Sequence, residues 1–248
     1  MKTLKILHMY SELLDLYGDN GNMEIIEYRC RMRGITCEID GYTVGSDIPD
    51  FSSYDLVYIG GGADLELNTI SADLLRCRDG LKKAYDEGVF LFLVCGGYQL
   101  MGKYYRDAGG KEITGLGLFN YYTSAAENRK KQCIGDIVVR TEITGKPVDV
   151  VGFESHGGQT MGVKAPFGKV LCGNGNVFQG GAEGYSEKNV IATYLHGPCL
   201  AKAPEISDYI ISYCVNRGAE APAELAPLDD TFEHECRKVM LNKLLNKK

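Results

Sequence analysis

One cysteine in this sequence stands where an α/β sheet places a nucleophile. Cys95 follows the continuous apolar run Val89–Val94, and Gly96 and Gly97 separate it from a helical segment. A sharp turn from strand to helix holds one side chain out at the carboxyl edge of such a sheet, and neighbouring glycines allow the tight turn. The helix N-terminus also favours the thiolate form of a cysteine. We therefore predict that Cys95 is a nucleophile and that most of the other cysteines are buried structural residues.

A cysteine that attacks an acyl carbon needs a proton acceptor, and histidine suits this role near neutral pH. The four histidines are His8, His156, His196 and His234. His196 closes the apolar run Val190–Leu195, a strand-end position like that of the cysteine, whereas His156 lies in a glycine-rich loop. We predict His196 as the catalytic partner and keep His156 as its rival, because a lone histidine is often a structural residue.

A second buried strand ends in glycines. The apolar segment Leu56–Ile59 leads directly into Gly60, Gly61 and Gly62. Backbone N–H groups in such a turn can point at an oxyanion that develops during acyl transfer. We predict that Gly61 and Gly62 donate to this oxyanion together with Gly96. The phosphate-loop pattern G-x-x-x-x-G-K-[ST] occurs nowhere in the sequence, so ATP binding by this chain is not expected.

The composition is that of an ordinary globular protein and argues against several classes of partner. The chain has 248 residues, 44% of them hydrophobic, and a formal net charge of −6. Nucleic acids and anionic membranes both select basic surfaces, so neither is expected as a partner. The longest apolar run, Val89–Cys95, is far shorter than the ~20 residues that span a bilayer. No signal-peptide pattern opens the chain, and we expect a cytoplasmic protein.

The cysteines and histidines do not follow the spacings of common zinc sites. The nine cysteines include no Cys-x-x-Cys pair, and the histidines form no H-E-x-x-H motif. Zinc ligands are usually recognisable in a sequence by such spacings. We therefore expect no metal ion and no cofactor.

The order of the apolar runs predicts one α/β domain. Over the first hundred residues, apolar strands alternate with helical segments such as Ile70–Glu87, a pattern typical of a parallel sheet with helices on both faces. After Gly109 short β-forming runs predict an antiparallel extension of the same sheet, and the clearest are Ile134–Thr141, Val148–Phe153, Val170–Cys172 and Val190–Leu195. We assign residues 1–218 to this domain and residues 219–248 to a linker and a C-terminal helix. One side of that helix carries Phe232, Cys236, Val239, Met240 and Leu244.

The motifs around the two predicted catalytic residues resemble those of class I glutamine amidotransferases. Cys95–Gln99 matches the C-x-G-x-Q pattern of that family, and Tyr194–Gly197 is similar to the Y-x-H-G of its cobyric-acid-synthase branch. The resemblance implies the fold of this family, and residues 1–218 would be a glutaminase domain that hydrolyses L-glutamine through a thioester on the cysteine. It also makes Arg129 the candidate ligand for the α-carboxylate of glutamine and Gln99 a candidate for holding the same substrate.

Three further segments resemble the GatD family, the glutaminase subunits of lipid II isoglutaminyl synthases. They are Leu16–Asn22, Tyr58–Gly62 and Gly152–Thr160. This resemblance implies that the ammonia serves a MurT-like, ATP-dependent subunit of the Mur-ligase family, which amidates the D-glutamate of lipid II in peptidoglycan synthesis. The two subunits would form a heterodimer in which the partner binds the lipid-linked acceptor.

Position 198 departs from the usual class I pattern. Most of these enzymes carry H-x-E, whereas Pro198 stands where the acid is expected. A catalytic histidine needs a third group that fixes its tautomer and steadies the imidazolium. We expect the ligase partner to supply this carboxylate in trans, with Glu154 or Asp19 as alternatives within the chain.

Three other interpretations stay open on the sequence alone. The chain could serve another acceptor, such as a cobyrinic acid, although enzymes of that kind usually fuse the glutaminase to an ATP-binding domain that 248 residues cannot hold. It could be a cysteine hydrolase or a chaperone-like protein of the same α/β architecture, which would need neither Gln99 nor the late His-Gly pair. It could also be a binding module without activity, which the presence of both Cys95 and His196 disfavours.

Overall fold

The computed structural model of this chain describes residues 3–246, except for the side chain of Arg129. Its strands are β1 (Leu4–Met9), β2 (Cys37–Tyr42), β3 (Leu56–Ile59), β4 (Phe90–Val94), β5 (Tyr104–Arg106), β6 (Glu112–Thr114), β7 (Tyr122–Ala125), β8 (Cys133–Thr141), β9 (Val148–His156), β10 (Gly158–Met161), β11 (Gly168–Cys172), β12 (Ala182–Glu183), β13 (Tyr185–Glu187) and β14 (Val190–Thr193). Its α-helices are α1 (Gly21–Arg31), α2 (Asp64–Arg76), α3 (Arg78–Asp86), α4 (Gly96–Met101), α5 (Pro204–Asn216) and α6 (Thr231–Leu245).

Six strands form the central sheet in the order β13-β14-β4-β3-β1-β2. The strands from β14 to β2 run parallel to one another, and β13 at the edge is antiparallel to β14. The inner strands β3 and β4 are buried along their whole length, which explains why their sequences are continuously apolar. This arrangement confirms the predicted α/β fold with a mostly parallel sheet and an antiparallel edge.

The ends of four parallel strands bring distant parts of the sequence to one edge of the sheet. β1 leads into the loop that carries Asp19, β3 leads into Gly60, β4 leads into Cys95, and β14 leads into the loop that carries His196. Because β4 pairs with β3 on one side and with β14 on the other, the cysteine lies between the glycine turn and the histidine. The carboxyl edge of an open α/β sheet is also where such folds place their binding sites.

The strands that follow Gly109 mostly form two further sheets. Each has four strands, in the orders β10-β7-β5-β6 and β12-β11-β8-β9. The prediction that Ile134–Thr141, Val148–Phe153 and Val170–Cys172 extend the central sheet is therefore wrong. Val190–Leu195 does contribute strand β14 to that sheet, but β14 runs parallel to β4, and β13 is the antiparallel strand. An alternation of apolar and polar residues predicts a strand, but it does not indicate which neighbouring strand that strand pairs with. A β-bridge between Phe153 and His196 joins β9 to the carboxyl edge of the central sheet.

Two helices replace the single helix predicted over Ile70–Glu87. α2 ends at Arg76 and α3 begins at Arg78, with Cys77 between them. Neither a glycine nor a proline marks the break, so the sequence pattern did not reveal it. None of the helices within residues 3–246 is long and apolar enough to cross a membrane.

The C-terminal helix packs back onto the β-rich part of the domain. α6 contacts β8, β9 and β11, and Leu244 forms a small apolar cluster with Val138 and Val151. Of the five residues along one side of this helix, Leu244 is buried, whereas Phe232 and Val239 are 77% and 64% exposed. The apolar side of the helix is therefore buried only near its C-terminal end.

One arginine joins the N-terminal helix to this C-terminal segment. Arg29 in α1 is 3% exposed and donates two hydrogen bonds to Asp208 and two to Asp230, at 2.6–3.1 Å. Asp208 lies in α5 and also pairs with Arg33, and Asp230 immediately precedes α6. A single buried guanidinium therefore connects three helices.

Replacing Arg29 with methionine should destabilise the fold, because Asp230 would lose its cation and Asp208 would keep only that of Arg33. Removing one partner from a buried ion pair costs about 3–5 kcal/mol, and we expect about 3 kcal/mol because both carboxylates are partly exposed. Urea unfolding measures the loss. Arg140→Met is the control, since Arg140 pairs with Asp149 at the surface, where a pair contributes less than about 1 kcal/mol. Equal losses in the two variants would contradict this role of Arg29.

Candidate active site

The predicted nucleophile occupies a strained turn between strand and helix. Cys95 has φ 47° and ψ −100°, and it directly precedes α4. Its N–H donates to Thr193 O at 2.8 Å, and its carbonyl accepts from Gln99 N at 2.9 Å. A positive φ in a residue other than glycine costs energy and persists where the surrounding structure enforces it, commonly at functional sites. The hydrogen bonds to β14 and to the next helix turn hold the thiol in this position.

A buried carboxylate lies behind the predicted catalytic histidine. His196 Nδ1 is 3.0 Å from Asp19 Oδ1 and 2.9 Å from Oδ2, and neither side chain is exposed. His196 Nε2 is buried and has no hydrogen-bond partner among the described residues. A carboxylate on Nδ1 fixes the tautomer in which Nε2 is free to take or give a proton. The geometry is that of a Cys–His–Asp triad.

Asp19 of the same chain fills the place behind His196, which favours this in-chain alternative over the predicted acid supplied in trans. Glu154, the other in-chain alternative, is occupied elsewhere. Its Oε1 accepts from the backbone and the side chain of Asn174, and its Oε2 accepts from Gly175 N, all at 2.8–2.9 Å. The signal for Asp19 was the segment Leu16–Asn22, which follows the first strand of the parallel sheet.

The charges of the site favour the protonated form of His196. Burial by itself would lower the pKa of His196, but the neighbouring Cys95 and Asp19 outweigh burial and raise this pKa to about 10. Burial raises the pKa of Asp19 above its usual value, although His196 and the N–H of Gly61 act in the opposite direction. An imidazolium next to a cysteine stabilises its thiolate, which is the nucleophilic form.

Gly61 lies among the three triad side chains. A Cβ added there would stand 2.7 Å from His196 Cε1, 2.8 Å from Asp19 Oδ2 and 3.0 Å from Cys95 Cβ. No side chain fits at this point without moving the triad. The Gly61 N–H donates to Asp19 Oδ2 at 3.0 Å, so it holds the acid and is not free for an oxyanion. The prediction that Gly61 donates to the oxyanion is therefore wrong, because its N–H holds the Asp19 carboxylate.

Gly62 and Gly96 lie close to each other beside Cys95. A Cβ added to Gly96 would lie 3.4 Å from Gly62 N, which places the two backbone segments side by side next to Cys95. Gly96 is the first residue of α4, and an N–H in this position has no partner within its own helix. Their role as oxyanion donors stays a prediction that this geometry favours.

The loops that carry the acid and the histidine are tied together by buried side chains. Asn22 Oδ1 accepts from Leu200 N at 3.2 Å, and its Nδ2 donates to Tyr58 Oη at 3.2 Å. Tyr58 Oη in turn donates to Asp19 O at 2.8 Å. The backbone of Asp19 is thereby fixed relative to the loop that follows His196. Much of the segment Leu16–Asn22 serves this positioning.

A second buried acid holds the residues that precede the histidine. Glu183 accepts from Tyr194 N at 2.6 Å and from Thr193 Oγ1 at 3.0 Å. Burial raises the pKa of Glu183 to about 8. His196 itself exchanges backbone hydrogen bonds with Phe153, at 2.8 and 3.2 Å. The segment that ends at His196 is therefore held by Glu183 through its side chain and by Phe153 through its backbone.

A cavity of about 500 Å³ leads to the thiol, with Tyr17, Gly62, Asp64, Leu65, Cys95, Gln99, Tyr105, Ser155 and His156 in its wall. Gln99 is buried in this wall and donates through Nε2 to Tyr194 Oη at 3.2 Å. Tyr17 covers the histidine, since its ring meets the imidazole of His196 edge-on with centroids 5.2 Å apart. Tyr17 therefore forms part of the cavity wall next to His196.

His156, the other candidate base from the sequence, lines the cavity, and its described hydrogen bond goes to a backbone carbonyl and not to an acid. Its ring stacks on Tyr194 with centroids 3.6 Å apart, and its Nδ1 lies 2.6 Å from Gly158 O. Burial lowers the pKa of His156 to about 4, so the ring is neutral near pH 7. These contacts make His156 a rigid part of the cavity wall.

Cys133, Glu154 and His156 place atoms of metal-ligand type within 4.8 Å of one another. The Glu154 oxygens are already bonded to N–H groups of the Asn174–Gly175 turn. Burial raises the pKa of Cys133 to about 12, which keeps this thiol protonated and a poor ligand. We assign no metal to the cluster, and the absence of a metal requirement stays an expectation.

Fold and site together define a class of protein, namely α/β proteins with a Cys–His–Asp arrangement at the carboxyl edge of a parallel sheet. A family model described as the CobB/CobQ-like glutamine amidotransferase domain matches residues 5–204. The chain belongs to this glutamine amidotransferase family.

Two curated relatives match almost the whole chain. Lipid II isoglutaminyl synthase (glutamine-hydrolyzing) subunit GatD from Staphylococcus aureus strain N315 is 35% identical, over 98% of this chain and 97% of that protein. The subunit of the same name from Streptococcus pneumoniae strain R6 is 32% identical, over 94% and 88%. The solved structure of PurLQS from Thermotoga maritima shares the fold, with a TM-score of 0.53 at 14% identity over 87% of this chain and 99% of that one.

Replacing Gly61 with alanine should lower the rate of glutamine hydrolysis at least about 100-fold, because the new Cβ would push apart groups whose alignment is needed at sub-ångström precision. Steady-state kinetics with glutamine measure the effect. Gly41→Ala is the control, since a Cβ there meets nothing within 4 Å. An active Gly61→Ala enzyme would contradict the crowded geometry described for the triad.

Proposed function

We propose that this protein is the glutaminase subunit of a lipid II isoglutaminyl synthase. It hydrolyses L-glutamine to glutamate and ammonia and passes the ammonia to a MurT-like ligase subunit, which amidates the D-glutamate of lipid II. The observation that carries the proposal is the grouping of Cys95, His196 and Asp19 around Gly61, with Cys95 in the wall of the cavity. The similarity to GatD subunits over nearly the whole chain supports the choice of acceptor.

In the first half of the reaction, the Cys95 thiolate attacks the side-chain amide carbon of glutamine. The carbonyl π electrons move to oxygen, and the N–H groups of Gly62 and Gly96 stabilise the resulting oxyanion. When the carbonyl re-forms, the carbon–nitrogen bond breaks and the His196 imidazolium gives its proton to the departing nitrogen. Ammonia and a thioester on Cys95 result.

In the second half, His196 accepts a proton from water while the water oxygen attacks the thioester. The carbon–sulfur bond breaks, glutamate leaves, and the thiolate and imidazolium are restored. Asp19 acts through His196 in both halves, because its carboxylate holds the ring and favours the protonated form. All proton transfers thus use one nitrogen, His196 Nε2.

Two further residues concern substrate binding. Arg129, at the start of a short 3₁₀ turn before β8, remains our proposal for the α-carboxylate of glutamine, although its side chain lies outside the described part of the structure. Guanidinium groups bind carboxylates with two parallel hydrogen bonds, which favours arginine here. Gln99 forms part of the cavity wall through its bond to Tyr194, and we propose that it shapes the substrate site.

The proposal also fixes the expected partners and setting. The MurT-like subunit would form a heterodimer with this chain, bind ATP and hold the lipid-linked acceptor. The net charge of −6 gives no support to nucleic acid binding. We propose a cytoplasmic location, where glutamine and the ATP-dependent ligase are both present.

Replacing Asp19 with asparagine should lower kcat for glutamine hydrolysis about 10²–10⁴-fold, because the histidine loses its negative partner. The carboxylate helps to raise the pKa of His196 to about 10, so its removal should also move the alkaline limb of the kcat profile to lower pH. Asp40→Asn is the control, since Asp40 bonds to Tyr54 at the surface. Full activity in Asp19→Asn, in the isolated chain and in the complex, would restore the trans-acid hypothesis.

The acceptor is tested with glutamine labelled with ¹⁵N in its side-chain amide. The reconstituted complex, with ATP and lipid II, should transfer the label to the D-glutamate of the acceptor, as measured by mass spectrometry. The Cys95→Ala chain should abolish label transfer while added ammonium salt restores amidation, because the ligase site is intact. Glutamate formation without label in lipid II would mean that the glutaminase serves another acceptor.

A further inference from the structure

A carboxylate stands in the wall of the substrate cavity and has no role in the reaction steps above. Asp64 is the first residue of α2, directly after the glycine turn and Ala63. It is exposed and lines the same cavity as Cys95, which is 4% exposed. Cys95 therefore lies at the inner end of the cavity, and Asp64 lies nearer the solvent.

The Asp64 carboxylate is held in place by one neighbour and has a free oxygen. Tyr105, which is buried in β5, donates its hydroxyl to Asp64 Oδ1 at 2.6 Å. Among the described residues, no other hydrogen bond reaches this carboxylate and no lysine, arginine or histidine pairs with it. Oδ2 is left with its lone pairs available at the cavity wall. Asp64 thus brings a negative charge to the cavity without a described counter-ion.

The substrate supplies a cation in the matching place. When the amide carbon of glutamine lies at the Cys95 thiol, its α-carbon is a few bonds away and points toward the opening of the cavity. The α-carbon carries an ammonium group, which needs a hydrogen-bond acceptor and a negative charge when it leaves water. In the described wall, Asp64 is the acidic side chain that meets both needs.

We infer that Asp64 binds the α-ammonium group of L-glutamine and selects amino-acid amides over amides without an amino group. The inference rests on the proposed function, because it assumes that glutamine enters this cavity. With Arg129 on the α-carboxylate, the two charges of the substrate's amino-acid end would each meet an opposite charge. Tyr105 is a positioning residue, since it fixes the orientation of the Asp64 carboxylate.

A purely structural role would have a different signature. An acidic residue in the first turn of a helix interacts favourably with the helix dipole, and its loss lowers stability by a small amount. Such a loss would affect every substrate in the same way. Binding of an ammonium group would instead affect L-glutamine and leave an analogue without that group unchanged.

The test compares L-glutamine with glutaramate, which has the same side-chain amide and carboxylate but no α-amino group. In Asp64→Asn, which keeps an oxygen to accept from Tyr105, KM for L-glutamine should rise about 10- to 100-fold, the range for a lost hydrogen bond to a charged group. Its kcat should change less than about threefold, because the triad is untouched. The kcat/KM for glutaramate should also change less than about threefold.

A second variant and a matched control guard against an effect on folding. Tyr105→Phe keeps the carboxylate but frees its orientation, and it should raise KM for L-glutamine by a smaller factor while leaving glutaramate unaffected. Asp79→Asn removes an acid from the first turn of α3, and it should leave both substrates unaffected. Thermal unfolding of each variant reports any change in stability.

Three results would overturn the inference. An equal loss with both substrates would make Asp64 a structural residue, and an unchanged KM for L-glutamine would show that it does not bind the ammonium group. Inactivity of the wild-type chain and complex on glutamine would remove the proposed function and this inference with it. The wild-type rate therefore tests the function, and the ratio between the two substrates tests Asp64.

Discussion

The hydrogen bond between His196 Nδ1 and the Asp19 carboxylate is the contact on which the geometry of the site depends. Both groups are completely buried, and their separation of 2.9 Å joins residues 177 positions apart. Burying a charge costs free energy unless the charge is paired and hydrogen-bonded. The fold must therefore place both partners accurately. Several hydrogen bonds hold the two partners in position. Asp19 accepts from Gly61 N–H and from Tyr58, which in turn accepts from Asn22, and Glu183 holds the residues just before His196. The sheet provides the frame in which they meet.

Local patterns were enough to select the cysteine and the histidine that the fold brings together. Cys95 and His196 each follow a short apolar strand, and the ends of adjacent parallel strands must lie together. Asp19 could not be chosen in the same way, because it sits in an irregular loop beyond β1 and its partner depends on how that loop folds. Gly61 was assigned to the wrong contact for a related reason. A glycine turn signals a close approach of backbone, but the sequence does not say which group approaches.

Strand pairing was the other limit of the sequence. The buried central strands are continuously apolar and could be recognised as a parallel sheet, whereas the later strands carry mixed patterns that fit several neighbours. Their real arrangement, two separate sheets, matters to the site because β9 and β10 contribute the wall formed by Ser155, His156 and Gly158. Side-chain periodicity identifies which face of a strand is buried, and long-range packing decides what covers it.

The closed setting of the thiol has a consequence for its chemical selectivity. Cys37, Cys172 and Cys236 are partly exposed, whereas Cys95 is 4% exposed and lies in the wall of a cavity that Tyr17 and Leu65 also line. A bulky alkylating reagent or a diffusing oxidant therefore meets the partly exposed sulfurs first. A small electrophile that enters the cavity can reach Cys95 as well, so the size and shape of a reagent decide which of these cysteines it modifies.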